Sequence, residues 1–238
     1  MDLEALSAGV AAAVTAFAGG LLVPTLIARL PEPSPAPLPA VAAKISYADL
    51  AARPRLRWWC AGVAGALAAA MGSSRGWVPD LPVWVFLAVL GVALGYVDWR
   101  TQLLPARLVA PAYVVVGVLL AAAAAVSWYD GGREALTRAG LGWVIVFAIY
   151  FVLWFVHPRG LGYGDVRLSG VLGMALGWLG SEAVVVGTYA AFGLGAVVGG
   201  LLSLAKIVDR KGYPFGPFML VGAFLGVLYA GGDLSWWR

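Results

Sequence analysis

Charge is scarce in this chain. Asp, Glu, Lys and Arg make up only 12% of its residues and hydrophobic residues 62%, and the mean hydropathy is +0.88. A soluble domain is about half apolar and about a quarter charged, so a water-soluble enzyme or a nucleic-acid binder of this size is excluded. The formal charge of +4 is then a matter of membrane topology and not of affinity for DNA. Cysteine is scarcer still. The single thiol, Cys60, forms no internal disulfide and no thiolate zinc site, which needs four ligands, and it reads as a small apolar filler. The single histidine, His157, closes an apolar stretch; one imidazole builds no metal site, and a capping or interfacial role fits it better. No histidine or lysine constellation stands ready to activate a serine. No internal repeat is found.

What is present is a series of long uncharged stretches. They place membrane spans at 5–28, 58–74, 81–97, 108–129, 140–157, 166–181, 183–205 and 213–232, each close to the roughly 20 apolar residues that cross a bilayer. The fold class is therefore all-α: a polytopic transmembrane helix bundle of about eight spans. Only Gly180, Ser181 and Glu182 mark the turn between the sixth and seventh, so seven spans is the alternative. The first stretch opens on Asp2 and Glu4 and is too long for a signal-peptide core, which makes it an uncleaved span. Alternating the connectors puts all 16 basic residues except Arg75, Arg133, Arg138 and Arg238 on one side. Basic residues collect on the cytoplasmic side, so both termini face outward.

The one sizeable connector, 29–57, is cytoplasmic on this reading. Prolines at every second position from Pro31 to Pro39 make its first part an extended linker, and 40–57 is expected to hold a short helix ending in a basic cluster. Trp58, Trp59, Trp77, Trp99, Trp128, Trp236 and Trp237 lie near span ends, as interfacial belts do. Gly195, Gly199 and Gly200 permit close helix packing inside the bundle.

With 12 acids in the chain, each can be weighed. Asp2, Glu4, Asp80, Asp130, Glu134, Glu182 and Asp233 fall in outer loops or tails, and Glu32, Asp49 and Asp209 in cytoplasmic connectors, where a solvated charge is ordinary. Asp98 and Asp165 remain. Asp98 ends the third span in Asp98-Trp99-Arg100-Thr101-Gln102-Leu103-Leu104-Pro105, and Asp165 opens the sixth after Gly160-Leu161-Gly162-Tyr163-Gly164. Both reach the cytoplasmic edge of the bilayer. Two carboxyl groups held close where polarity is low share one proton. The ionised member then serves as base toward a water and the protonated member donates to a carbonyl oxygen, which hydrolyses an amide without metal, serine or thiol. The ordinary reading stands beside it: both acids are interfacial and tied to Arg100 and Arg167. The glycine run is not a dinucleotide fingerprint, because its last interval is wrong and no strand-helix unit surrounds it.

Three segments tip that balance. Asp98-Trp99-Arg100-Thr101 through Leu104-Pro105, then Gly162-Tyr163-Gly164-Asp165-Val166-Arg167-Leu168, then Pro214-Phe215-Gly216-Pro217-Phe218 occur in this order, and the chain resembles the prepilin peptidases, or type IV leader peptidases, of the GxGD class of membrane aspartic proteases. The resemblance covers about residues 80–230, with a fainter echo at Gly19-Gly20 and Arg29-Leu30-Pro31. It implies Asp98 and Asp165 as the catalytic pair, with Arg100, Thr101, Pro105, Gly162, Gly164, Arg167, Pro214, Gly216 and Pro217 supporting the site or the substrate. It implies prepilin or pseudopilin precursors as partners alongside the lipid bilayer, cut at the cytoplasmic face of a bacterial plasma membrane. Residues 1–57 then form the first transmembrane span plus a short proline-rich cytoplasmic loop, and 58–238 the transmembrane aspartic peptidase core. Many members carry paired Cys-x-x-Cys motifs that bind zinc in the first cytoplasmic loop, and also methylate the new N-terminus. Residues 29–57 have no cysteine, so the expectation is peptidase activity with no cofactor and no metal. Ala106 also replaces the polar residue that usually follows Leu-Pro. The competing readings are a GxGD protease for another membrane peptide, a small proton-coupled transporter and a structural subunit. A transporter places its coupling acids near the midplane in broken helices or repeats, which are not found here.

Overall fold

The computed structural model describes residues 3–32, 45–158, 160–204 and 214–232, and every regular element among them is helical. In chain order these are α1 (Leu3–Gly20), α2 (Val23–Ala28), α3 (Tyr47–Ala51), α4 (Leu56–Arg75), α5 (Leu81–Thr101), α6 (Ala106–Val126), α7 (Arg133–Val156), α8 (Tyr163–Leu179), α9 (Ser181–Leu204) and α10 (Gly216–Gly231). Lipid supplies no hydrogen-bond partners, so apolar runs of this length satisfy their backbones by coiling on themselves. Each of the eight expected spans meets a helix, the first broken after Gly20 into α1 and α2. Gly180 turns the chain between α8 and α9 at φ 132°, a conformation open to glycine, and so the sixth and seventh spans are separate helices.

Five segments are long and apolar enough to cross a membrane: Leu3–Ala28, Leu81–Thr101, Ala106–Val126, Trp128–Val156 and Ser181–Leu201. Gly216–Gly231 is a shorter apolar helix, and α4 and α8, of 20 and 17 residues, complete the bundle. The most intimate pairs are α1 with α4, α7 with α8 and α9 with α10. Small residues make them possible, as between membrane helices generally. Ala8, Ala12 and Ala16 of α1 are buried, as are Ala61, Ala64 and Ala68 of α4. Gly142 of α7 lies so near α8 that an added Cβ would stand 2.8 Å from the Gly177 Cα. On α9, Gly195 and Gly199 are buried, whereas Gly200 is exposed and faces open space.

The two helices that carry the candidate acids are central. Helix α5 packs on α1, α2, α4, α6 and α10, and α8 packs on α6, α7, α9 and α10. Helix α10 therefore touches both, and its N-terminus is the meeting point of the site. A second apolar cluster, built from Val23, Ile27, Tyr47, Leu50, Cys60 and Val97, fastens α2 and α3 to α4 and α5. Cys60 fills space there, 3% exposed.

Asp80 departs from its expected role, and Glu32, exposed as expected, takes on a structural one as well. Asp80 is not a solvated loop acid: it is 3% exposed, takes two hydrogen bonds from Arg75 at 3.1 and 2.9 Å and a third from the Trp84 indole N–H at 2.7 Å. The tight α4–α5 turn folds the acid back between them. Glu32 caps α3, accepting from the Tyr47 and Ala48 amides at 3.1 and 3.2 Å. Burial, and after it the Glu32 charge, raises the Tyr47 phenol above its ordinary value. Trp58, Trp59, Trp77, Trp99 and Trp128 are exposed. Pro33–Pro39, Arg159, the connector 205–213, Trp236 and Trp237 lie outside the described residues.

Candidate active site

Asp98 sits in the last turn of α5. The helix stops because Gln102 takes the left-handed conformation at φ 54° while its N–H still closes on the Asp98 carbonyl at 2.7 Å. Leu103 and Leu104 then run to Pro105, the residue that caps the N-terminus of α6. Thr101 is buried and donates to the Val97 carbonyl at 2.8 Å, so its hydroxyl serves its own helix. Asp165 lies in the first turn of α8, whose N-cap is Gly162, and its Oδ2 accepts the Gly162 N–H at 3.0 Å. Both carboxyl groups are buried, Asp98 at 4% and Asp165 at 7% exposure, and they are close enough to interact electrostatically.

The third segment completes the arrangement. The Gly216 N–H donates to Asp98 Oδ2 at 3.0 Å. Gly216 follows the N-cap of α10, so each acid rests on the N-terminus of a helix: Asp165 on its own and Asp98 on another. Helix N-termini present unpaired N–H groups and the positive end of the helix dipole, which favours a carboxylate there. Gly216 is required by close approach, since a Cβ there would stand 2.6 Å from Asp98 Oδ2 and 3.3 Å from Leu104 Cδ2. Gly164 is required likewise, its Cβ falling 2.8 Å from the Leu104 Cβ. Leu104 thus packs against both glycines and wedges the three segments together.

Arg100 and Arg167 are exposed. The Arg167 guanidinium stacks over Tyr163, 4.7 Å from the ring centroid, and Tyr163 packs on Trp154 at 5.0 Å. The ion pair found among the described residues is Arg75–Asp80, which gives no support to tying Asp98 or Asp165 to these arginines. Pro214 is half-buried and Pro217 lines a groove. That groove, about 290 Å³ and almost wholly apolar, runs between α4, α5 and α10 with Gly91 and Gly95 in its floor and Leu220 and Phe224 along one wall. His157 ends α7, exposed. Among the described residues no group of three or more His, Cys, Asp or Glu side chains could hold a metal ion.

Two neighbours of the acids went unmarked in the sequence reading. Leu104 stands inside the first motif with no polar group to single it out. Tyr150 of α7 is 2% exposed and its ring packs on Phe215, the N-cap of α10, at 6.3 Å; a tyrosine within an apolar run carries no signal of its own.

Comparison with known proteins gives a consistent result. A prepilin leader peptidase/N-methyltransferase of Escherichia coli (strain K12) is 30% identical over 176 residues, covering 73% of this chain and 72% of that protein. Leader peptidase HopD of Escherichia coli is 34% identical over 146 residues, 61% of this chain and 91% of that protein. A prepilin leader peptidase/N-methyltransferase of Aeromonas salmonicida is 29% identical over 163 residues, 66% of this chain. Against that protein and its Aeromonas hydrophila counterpart, the chain spans only 54% and 57% of the relative's length. No solved structure matches. The model of the type IV leader peptidase family matches residues 84–231, a range that holds both acids and Gly216. The chain belongs to the type IV leader peptidase family.

Proposed function

We propose that this chain is a membrane-embedded aspartic endopeptidase that removes the short basic leader from type IV prepilin or pseudopilin precursors at the cytoplasmic edge of a bacterial plasma membrane. The observation that carries the reading is the pairing of two buried carboxyl groups from distant segments, each held by one glycine N–H at a helix N-terminus. In the reaction, one aspartate is ionised and the other protonated. The carboxylate takes a proton from water as the water oxygen bonds to the scissile carbonyl carbon, and the protonated partner donates to the carbonyl oxygen. The resulting tetrahedral diol collapses, the C–N bond breaks, and the departing amine receives a proton from the pair. Because a coupled pair titrates as a unit, the two roles are not divided between Asp98 and Asp165.

The domain roles follow. The core from residue 58 onward performs the hydrolysis, while residues 1–57 anchor and brace α5. The groove below Asp98 supports an apolar segment of substrate: Gly91, Gly95 and Asp98 recur at helical spacing on α5. Arg100, Thr101, Pro105, Arg167, Pro214 and Pro217 shape the rim. The cysteine pairs of zinc-binding relatives have no counterpart in residues 29–57, so the proposal is confined to peptide-bond hydrolysis. The test is a tagged prepilin co-expressed in membranes with the wild-type chain or with Asp165→Asn. A precursor shortened only by the wild type, with a new N-terminus past the basic leader, is the expected result. Cleavage that survives the substitution would refute the aspartate mechanism.

A further inference from the structure

The groove between α4, α5 and α10 has a shape that helix packing alone does not require. Its walls close at one depth on all three helices, where Met71 of α4, Trp84 of α5 and Val227 of α10 are buried. Trp84 is pinned there, because its indole N–H donates to Asp80, which Arg75 also holds. Toward the acids the walls part. Gly91, Gly95, Pro217 and Leu220 are partly exposed, and the exposed Val63 and Val221 flank the opening. The groove is thus a blind slot, shut at the end away from the acids and open sideways near them. Between Trp84 and Gly95, α5 rises about 16 Å at about 1.5 Å per residue.

The glycines of its floor are not there for helix contact. Where close approach requires glycine in this bundle, an added Cβ would strike backbone: at Gly142 the Gly177 Cα at 2.8 Å, and at Gly222 the Ala191 N at 2.7 Å. At Gly91 and Gly95 the Cβ would meet only the far end of the Leu220 side chain, at 3.3 and 3.5 Å, and alanine is the better helix former. What glycine preserves there is the space of the slot. That space, about 290 Å³, is too small for a helix, whose diameter with side chains is about 10–12 Å. It suits a single ridge of side chains reaching in from one. The open end lies one turn before Asp98 on α5 and beside Gly216 on α10, so a membrane helix seated along the slot carries its end to the aspartates.

We propose that this slot is the specificity pocket of the peptidase. It takes one ridge of apolar side chains from the substrate's own membrane helix, with Gly91 and Gly95 setting the size admitted and Trp84 the depth. The inference rests on the peptidase reading above and adds the surface that recognises the substrate beyond the cleaved bond.

Gly91→Leu fills the slot without touching the acids. With a tagged prepilin in nanodiscs, its kcat/KM should fall about tenfold or more, the range for a misfitted apolar pocket. The loss should lie in KM and not in kcat, with the melting temperature unchanged. A second readout needs no turnover. p-Benzoylphenylalanine at position 221, in the Asp165→Asn background, should on irradiation form an adduct with the apolar segment of the bound prepilin, and Gly91→Leu should abolish it. The same probe at position 118, an exposed site of α6 outside the slot, should capture none. Wild-type KM in Gly91→Leu, an adduct with lipid alone, or equal capture from positions 221 and 118 would overturn the proposal. A wild-type chain that cleaves no prepilin would count against the peptidase reading, and the adduct experiment would still decide the slot by itself.

Discussion

Gly216→Ala gives a sharp test of how the pair is held, because it leaves both acids chemically intact. The added Cβ would lie 2.6 Å from Asp98 Oδ2, whereas real Cβ contacts essentially never fall under 3.0 Å. Something must give by about half an ångström, and Leu104 Cδ2, 3.3 Å from the same Cβ, closes one direction of retreat. The carboxyl group moves and its 3.0 Å bond to the Gly216 N–H is strained or lost. A hydrogen bond to a charged group contributes about 1.5–3 kcal/mol. At about 1.4 kcal/mol per tenfold in rate, that corresponds to a loss of about ten- to a hundredfold in kcat/KM. Displacement gives a similar figure independently, since misplacing a reacting group by about 1 Å costs about a hundredfold.

The assay is the initial rate of precursor cleavage by purified enzyme in detergent or nanodiscs, with the melting temperature measured alongside. Gly117→Ala, in the middle of α6, is the control, because its Cβ would meet nothing within 4 Å and leaves Asp98 alone. The expected outcome is a large loss of rate for Gly216→Ala with little change in melting, and near wild-type behaviour for Gly117→Ala. Wild-type kcat/KM in Gly216→Ala, or equal losses in both variants, would refute the argument from Asp98 placement.

Other consequences are as direct. Asp98→Asn and Asp165→Asn should each abolish cleavage while the protein still inserts and melts cooperatively, read by precursor size and thermal unfolding in detergent. Asp80→Ala strands Arg75, whose side chain is only 12% exposed. Leaving such a charge uncompensated costs about 3–5 kcal/mol, so this variant should lose thermal stability, while the surviving folded fraction keeps its specific activity. Incubation with EDTA should leave cleavage unchanged, and a loss that zinc restores would contradict the metal-free mechanism. Leu104→Ala removes the wedge between Gly164 and Gly216; it should destabilise by about 2 kcal/mol or more and lower kcat more than it raises KM.

How much of this was legible in the sequence differs from residue to residue, for physical reasons. The helices were legible because a lipid-embedded backbone has few alternatives to the helix, and scarcity of charge marked their ends. Asp98 and Asp165 stood out by elimination, because the other acids fall outside or at the ends of the uncharged stretches on the outer side or in connectors. The same elimination misjudged Asp80. Its partners Arg75 and Trp84 are near in sequence, but the turn that closes on them follows from backbone geometry that hydropathy does not encode. Gly216 was marked only as part of a short motif. Its bond to Asp98 spans 118 positions, and no local pattern contains such a pairing.

The placement of the acids at helix ends has a further logic. Inside a membrane bundle the amides of a helix interior are consumed by their own ladder, and the free donors are the first few N–H groups of each helix. A buried carboxylate that must stay available for chemistry therefore has to sit at a helix N-terminus. Asp165 meets that condition on its own helix through Gly162. Asp98 cannot, because it lies at the C-terminal end of α5, where the backbone offers carbonyl oxygens and the negative end of the dipole. It must borrow an N-terminus, and α10 supplies one at Gly216. That need accounts for a glycine where α10 begins and for Leu104 packed between α8 and α10. It also makes the arrangement a property of three chain segments at once, so on the proposed mechanism an intact Asp98 and Asp165 should not suffice for activity if α10 is displaced.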